Sequence, residues 1–310
     1  MSVPVAASQV HAIAAMSTIV RIEVVPDDDP PRGADEAADA VARAFDWFSR
    51  VEAACSRFVD DSEARALERR IGEPTEVSPL LFEALRFALA VAEASGGAFD
   101  PTVGDAMARR GFDVEYRSGR RASPSPAAVG SPSFRDVRID AAARSVTLLR
   151  PLTLDLGAVA KGLAVDMAAR ELAPLRHFAI DAGGDLFCAG SNQDGQPWRV
   201  GIRHPRAADD VIHVLRVSDL AVCTSGDYER RSSVATADGH HILDPRSARS
   251  VETVASATVL APTAITADAL ATAAFVLGPV DGIAFLERQG VQGLIITPAI
   301  ERYTTAGFPS

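Results

Sequence analysis

Lysine is almost missing from this sequence: of its 31 Lys and Arg residues only Lys161 is a lysine. Acidic residues number 41, which leaves a formal net charge of −10 and a pI near 5.1. That surplus excludes the basic footprint of a nucleic-acid scaffold. The three cysteines, Cys55, Cys188 and Cys223, are widely spaced and form no C-x-x-C pair. They read as reduced thiols in or near the core rather than as a zinc site or redox couple. No 18 apolar residues run together, so no membrane insertion is expected. The apolar start VPVAASQVHAIAAM is broken by Ser8, Gln9 and His11 and has neither a basic cluster, an h-region nor an early cysteine to lipidate. A cytoplasmic location is the expectation that follows. The six histidines are scattered apart from His240-His241, and H-E-x-x-H, the P-loop, G-x-G-x-x-G and G-x-S-x-G are all absent. These absences remove zincin, P-loop, Rossmann and serine-hydrolase readings.

What remains is an ordinary globular composition, 47% apolar and 23% charged, over 310 residues. Such a chain buries about three quarters of its unfolded surface, in one large unit or two coupled lobes. Residues 17–25 (STIVRIEVV) alternate as a strand and 27–33 (DDDPPRG) read as a loop. Val41, Phe45, Phe48 and Val51 recur at helical spacing between 34 and 55. Ser78-Pro79 opens a second helix that Gly96-Gly97 ends, with a hydroxyl N-cap, proline at the first helical position and glycine past the end. A hairpin is expected over 137–149, and the Ser/Pro/Gly-rich stretch 117–133 is the candidate mobile loop or lobe junction. A helix follows Gly157 to about 173. Strands are expected near 177–181, 186–189, 198–203, 211–217 and 254–260, then helices at 264–277 and 280–288 and a strand at 291–297. Strands outnumber helices and short turns join several of them, which favours an α+β layered fold with largely antiparallel sheets and flanking helices.

Five segments combine glycine with a carboxylate and a hydroxyl or amine: GGAFDPTVG (96–104), LDLGAVAKGLAVD (154–166), DAGGDL (181–186), TSGDYERR with GHHILDPRSA (224–231 and 239–248), and APTAITADALATAAFVLG (261–278). Their order and spacing resemble the FAD:protein FMN transferase, or ApbE-like, family over roughly Met16 to Leu286. The resemblance implies a two-lobed catalytic unit spanning residues 1–310. Its activity would be to split the FAD pyrophosphate, attach FMN through a phosphoester to a Thr or Ser hydroxyl of an acceptor protein, and release AMP. FAD is then a substrate and Mg²⁺ the cofactor.

Asp268 and Thr272 are four apart in a helical segment, so both oxygens leave one face and can ligate one hard cation. They match the family's metal motif, which adds the carbonyl of the residue matching Ala158. The plainer alternative makes Asp268 a helix N-terminal carboxylate and Thr272 an incidental hydroxyl. Lys161 lies near a helix start that favours anions, where an ammonium adds a mobile point charge. It could also be a chance surface lysine.

Asp155 resembles the family's flavin-contacting acid, which would accept from isoalloxazine N–H groups or a ribose hydroxyl, or it caps the nearby helix. Ala98, Phe99 and Asp100 match a dinucleotide-contacting triplet, although Phe99 suits a core and Asp100-Pro101 a turn. Met16 and Phe58 resemble positions flanking the flavin, and Ile242 would line its pocket. The Gly183-Gly184-Asp185 turn belongs near the site or is simply a hairpin turn. His241, with Asp244 and Arg246 close by, is the candidate for taking the acceptor hydroxyl proton. The competing assignment gives that proton to a metal-adjacent carboxylate, which makes Asp268 the other catalytic candidate. The chain departs from the family where DPRSA replaces the usual DPRTG, so Ala248 stands where a turn normally has glycine. Two rival functions stay open: a metal-dependent FAD pyrophosphatase yielding FMN and AMP, and an FAD-binding protein without turnover.

Overall fold

A computed structural model describes residues 8–26, 34–115, 119–122, 130–229 and 239–309. The loop expected at 27–33 and most of the 117–133 stretch lie outside these residues. The chain opens with a hairpin of β1 (Gln9–Ala15) and β2 (Thr18–Val24), followed by α1 (Ala34–Cys55), the short α2 (Glu63–Glu68), β3 (Thr75–Glu76), α3 (Pro79–Ala94) and α4 (Gly104–Arg109). The hairpin β4 (Val137–Asp140) and β5 (Ser145–Leu148) leads to α5 (Gly157–Leu172), then β6 (Phe178–Ala182), β7 (Asp185–Ala189), β8 (Trp198–Arg203), β9 (Val211–Val217) and β10 (Leu220–Gly226). The last part holds β11 (Leu243–Asp244), β12 (Arg249–Ser250), β13 (Ser256–Ala261), α6 (Ala264–Leu277), α7 (Pro279–Arg288), β14 (Gln292–Ile296) and β15 (Arg302–Thr304).

Eight strands make the central sheet in the order β1-β2-β6-β7-β10-β13-β14-β15, and every neighbouring pair is antiparallel. One face carries the helical layer, whose core joins Phe48, Leu81, Leu85, Leu163 and Phe275 to Ile22 and Ile180 of the sheet. The other face is covered by the β8–β9 hairpin through Trp198, Val200, Ile202 and Leu215. The result is three layers with antiparallel pairing throughout, an α+β architecture as expected.

Local sequence explains the elements. In WRVGIR (β8) burial alternates strictly, because one face meets the central sheet and the other meets solvent. In SATVLA (β13) every residue is buried, since helices and hairpin cover both faces; this erases the two-residue alternation. Helix α3 starts as the sequence indicates, with Pro79 at the first turn and the Ser78 hydroxyl accepting from the Leu81 N–H at 3.2 Å. Helix α6 is apolar on all sides and nearly every residue of it is buried, Asp268 being its single acid. An all-apolar helix belongs inside a protein, and the buried carboxylate within it demands an explanation. Cys55, Cys188 and Cys223 are free and buried, and burial pushes the Cys55 and Cys188 thiols up to about 12. Among the described residues no helix is long and apolar enough to cross a membrane.

Candidate active site

Two hairpin turns meet at one end of the central sheet. The β1–β2 turn is Met16-Ser17, both at positive φ (47° and 64°), and the β6–β7 turn is Gly183-Gly184 at 70° and 97°. Two-residue turns with both φ positive follow the right-handed twist of the strands and normally use Asn or Gly. Met16 and Ser17 therefore hold a conformation that costs each about 1 kcal/mol. The turns touch: a Cβ on Gly183 would fall 2.2 Å from the Thr18 hydroxyl. Gly183 is thus both a turn residue and a spacer.

These turns floor a cavity of about 380 Å³, a volume suited to a small-molecule ligand. Its walls include Met16 and Phe58; Ala98, Phe99 and Asp100; Asp155, Ala158 and Lys161; His241 and Ile242; and Asp268 with Thr272. The fold brings these twelve residues, which span more than 250 positions, to one cavity, whereas Asp244 and Arg246, expected beside His241, pair with each other outside its lining.

At its deep end α5 and α6 cross closely. A Cβ on Gly162 would meet the Ala264 carbonyl oxygen and Ile265 Cα, each at 2.6 Å, so only glycine permits the approach. Asp166 of α5 accepts from the Ala264 and Ile265 N–H groups at 2.7 and 3.0 Å and so supplies the N-terminal carboxylate of α6. Asp268 does not play that part. It lies a turn further on and is 5% exposed, with the Gly162 N–H reaching one oxygen at 3.4 Å. Burial first, then the neighbouring Asp185, push its carboxyl up to about 8, with Lys161 opposing. Thr272, one turn along the same face, exchanges a 3.0 Å hydrogen bond with Ser225 of β10.

Lys161 is no chance surface residue. Its ammonium is paired with the buried Asp185 at the start of β7, so the two glycine-rich segments that carry them are joined by an ion pair. Once Asp268 ionises, two buried carboxylates, Asp185 and Asp268, against one ammonium leave this end of the cavity with surplus negative charge.

The donor set decides what cation could relieve that surplus. Among the described residues no three His, Cys, Asp or Glu side chains converge as metal ligands. Only a mixed oxygen set is available: the Asp268 carboxylate, the Thr272 hydroxyl and a backbone carbonyl. Ala158 interrupts α5 with φ −94° and ψ 17°, a ψ turned by roughly 60° from the helical value, which swings its carbonyl off the helical course. Hard oxygen donors in small number fit magnesium, which retains waters of its own.

Asp155 caps α5, as the plainer reading has it, and also lines the cavity. One oxygen accepts from the Gly157 N–H at 2.9 Å at the head of α5, and the other pairs with Arg57 Nε at 3.1 Å, while the side chain lines the cavity. Asp100 is committed to structure: its oxygens accept from the Thr102 N–H and hydroxyl and from the Phe134 N–H. Burial nevertheless moves its carboxyl above the usual range. Phe99 is 4% exposed, a core residue that also forms cavity wall.

His241 faces the cavity and sits edge-on to Phe112, ring centroids 6.5 Å apart. Its neighbour His240 points away: Nδ1 accepts from the Ile242 N–H at 3.2 Å, which fixes the proton on Nε2 for the 2.7 Å bond to the Val251 carbonyl. The pair thus divides into a structural and a cavity histidine.

The ApbE family model matches residues 16–295, most of the chain. This chain belongs to the ApbE family. The FAD:protein FMN transferase of Treponema pallidum is 34% identical over 94% of this chain and 85% of its own length. That of Haemophilus influenzae is 29% identical over 79% of this chain and 75% of its own length. Among solved structures, the ApbE protein of Thermotoga maritima matches with a TM-score of 0.83 at 28% identity, covering 97% of both chains. The flavin transferase ApbE of Vibrio cholerae matches at 0.82 and 25%, covering 97% of this chain and 98% of its own.

Within this ApbE-family chain the DPRSA departure has a local cost. The β11–β12 turn closes with the Ala248 N–H on the Asp244 carbonyl at 2.8 Å, and Ala248 takes φ 53°, the region where glycine is at ease. Ala248→Gly is expected to stabilise the protein by about 0.5–1 kcal/mol, a gain of strain relief less the added freedom of the unfolded chain. Thermal unfolding of the two proteins checks this; a lower melting temperature for the glycine variant would refute it.

Several cavity residues carry no mark in the sequence. Glu52 and Thr18 line it without a motif of their own, and Arg57 is the least expected of all.

Proposed function

We propose that this chain is a magnesium-dependent flavin transferase, which moves FMN from FAD onto a Thr or Ser hydroxyl of an acceptor protein and releases AMP. The observation that carries the reading is the convergence, in one cavity, of Asp268, Thr272 and the turned Ala158 carbonyl with the Lys161–Asp185 pair and the Met16 and Phe58 walls. The names of the relatives support it at the level of the reaction.

The step balances as an in-line displacement. The acceptor oxygen bonds to the FMN phosphorus, the bond from that phosphorus to the AMP oxygen breaks, and AMP departs with the electron pair. His241 faces the cavity and takes the hydroxyl proton. Lys161, held by Asp185, presents an ammonium to the pyrophosphate beside the N-terminus of α5, where backbone N–H groups favour anions. Asp155 accepts from donor groups of the flavin nucleotide, and Met16, Phe58 and Ile242 exclude water from around it. Asp268, Thr272 and the Ala158 carbonyl would hold Mg²⁺, which supplies neutralisation of charge on the attacked and departing phosphate oxygens.

Incubation with FAD, magnesium and a candidate acceptor, followed by intact mass measurement, tests the reading. A gain equal to FMN on the acceptor is expected. Free FMN alone would make the protein a pyrophosphatase, and unchanged FAD a binding protein. Lys161→Arg is expected to lower turnover roughly tenfold or more, because a broad guanidinium fork does not replace a compact ammonium packed against Asp185. Wild-type rates in that variant would strip the lone lysine of any special role.

A further inference from the structure

Arg57 is one of 30 arginines, and its environment is unlike a surface arginine's. It follows α1 by two residues, is 6% exposed and lines the cavity. Its Nε lies 3.1 Å from Asp155, its Nη2 donates to the Phe112 carbonyl at 2.5 Å, and its guanidinium carbon lies 4.4 Å from the centre of the Phe58 ring. Its Nη1 is buried with no hydrogen-bond partner among the described residues. A buried guanidinium is costly unless its fork is satisfied, and this one leaves a nitrogen unmatched beside a ligand cavity.

The three contacts come from three separate parts of the chain. Asp155 precedes α5, Phe112 follows α4 and stacks edge-on against His241, and Phe58 is next to Arg57 itself. Because Gly157 N–H holds the other Asp155 oxygen, the carboxylate is pinned at both ends, and each oxygen keeps a lone pair for a donor in the cavity. Pinning of this kind fixes a binding group before the ligand arrives, which lowers the ordering cost of binding.

We propose that Arg57 is a positioning residue for flavin-nucleotide binding, acting through Asp155: its fork aims the Asp155 carboxylate at the ligand's N–H or O–H donors while its face braces the Phe58 ring beside it. The assignment rests on the reading of this cavity as an FAD site.

A double-mutant cycle on FAD affinity tests it, with flavin fluorescence as the readout and magnesium present throughout. The proteins are wild type, Arg57→Lys, Asp155→Asn and the double variant, each checked by thermal melting to be folded. Arg57→Lys keeps the charge and loses the fork, and is expected to weaken FAD binding by roughly tenfold or more. In the Asp155→Asn background the same exchange is expected to change affinity less than about twofold. Independent, multiplying losses would overturn the assignment, since a merely structural arginine would weaken both backgrounds alike. So would wild-type affinity in Arg57→Lys. If wild-type protein itself fails to bind FAD, the reading of the cavity falls, and the Arg57 assignment with it.

Discussion

Asp268→Asn is expected to make the metal-free protein more stable at pH 8 while removing its response to magnesium. Asp268 is 5% exposed in an otherwise apolar helix, and burial with Asp185 nearby raises its carboxyl to about 8. The sign follows from proton counting. Between the unfolded pKa, about 4, and the folded value, the native state binds more protons than the unfolded one, so stability falls as pH rises through that window. Above it the wild-type protein carries the full cost of a buried, ionised carboxylate, and asparagine does not. With allowance for the compensation from Lys161, a gain of roughly 2 kcal/mol at pH 8 is expected, or about 4 °C in melting temperature for a chain of this size. The Gly162 N–H can still donate to the amide oxygen, so the contact at 3.4 Å is not sacrificed. Melting curves in chelator from pH 4 to 9 should show wild type losing stability along the series and Asp268→Asn losing less. Magnesium should restore the wild type at high pH, since a ligand that binds only the folded state stabilises it, and should leave the variant unmoved. A variant less stable than wild type at pH 8, or one that magnesium still stabilises, would discard the metal assignment. Stability surrendered at a single buried acid is the expected mark of a site kept for binding.

The sequence makes some of this architecture plain and hides the rest for physical reasons. Helix α3 was readable to its first residue because Ser78, Pro79 and the terminal glycines are local signals. Strand β8 is equally clear, since one covered and one open face writes an alternation into the chain. Strand β10 left no such trace. It lies mid-sheet with both faces largely covered, its burial does not alternate, and LAVCTSG suggests chemistry more than a strand. Strand β1 is an edge with no β-branched run, and it reads as a broken apolar start.

The site divides in the same way. Asp268 and Thr272 sit on one helix, so their common face follows from a spacing of four, and their neighbours in the cavity are reached through the motifs' likeness to a family. The Lys161–Asp185 pair spans 24 positions and exists only because β6 returns the chain to α5. Arg57 is harder still: nothing adjacent to it distinguishes a buried guanidinium from an exposed one, and only the closure of three segments around it reveals the difference. Topology, not periodicity, supplies these contacts.

The close crossing of α5 and α6 leads to the second large effect, at Gly162. In an isolated helix Gly→Ala would add about 1 kcal/mol of stability through backbone entropy alone. Here the added methyl would sit 2.6 Å from both the Ala264 carbonyl oxygen and Ile265 Cα, and 2.7 Å from the Ala264 carbonyl carbon. These are backbone atoms at the head of α6, and they cannot rotate aside as the end of a long side chain can. The two helices would have to part, against the Asp166 carboxylate that ties the first turn of α6 to α5 and against a core of fully buried alanines. Overpacking of this kind costs typically about 1–3 kcal/mol and sometimes more, so the clash outweighs the helix-propensity gain. Gly162→Ala is expected to lower the melting temperature by roughly 2–4 °C. The same displacement carries Asp268 and Thr272 away from Ala158 and Lys161, so magnesium should stabilise the variant far less than it does the wild type. A melting temperature equal to wild type, with an undiminished magnesium response, would mean that the crossing has slack and that the spacing of α5 and α6 does not set the site.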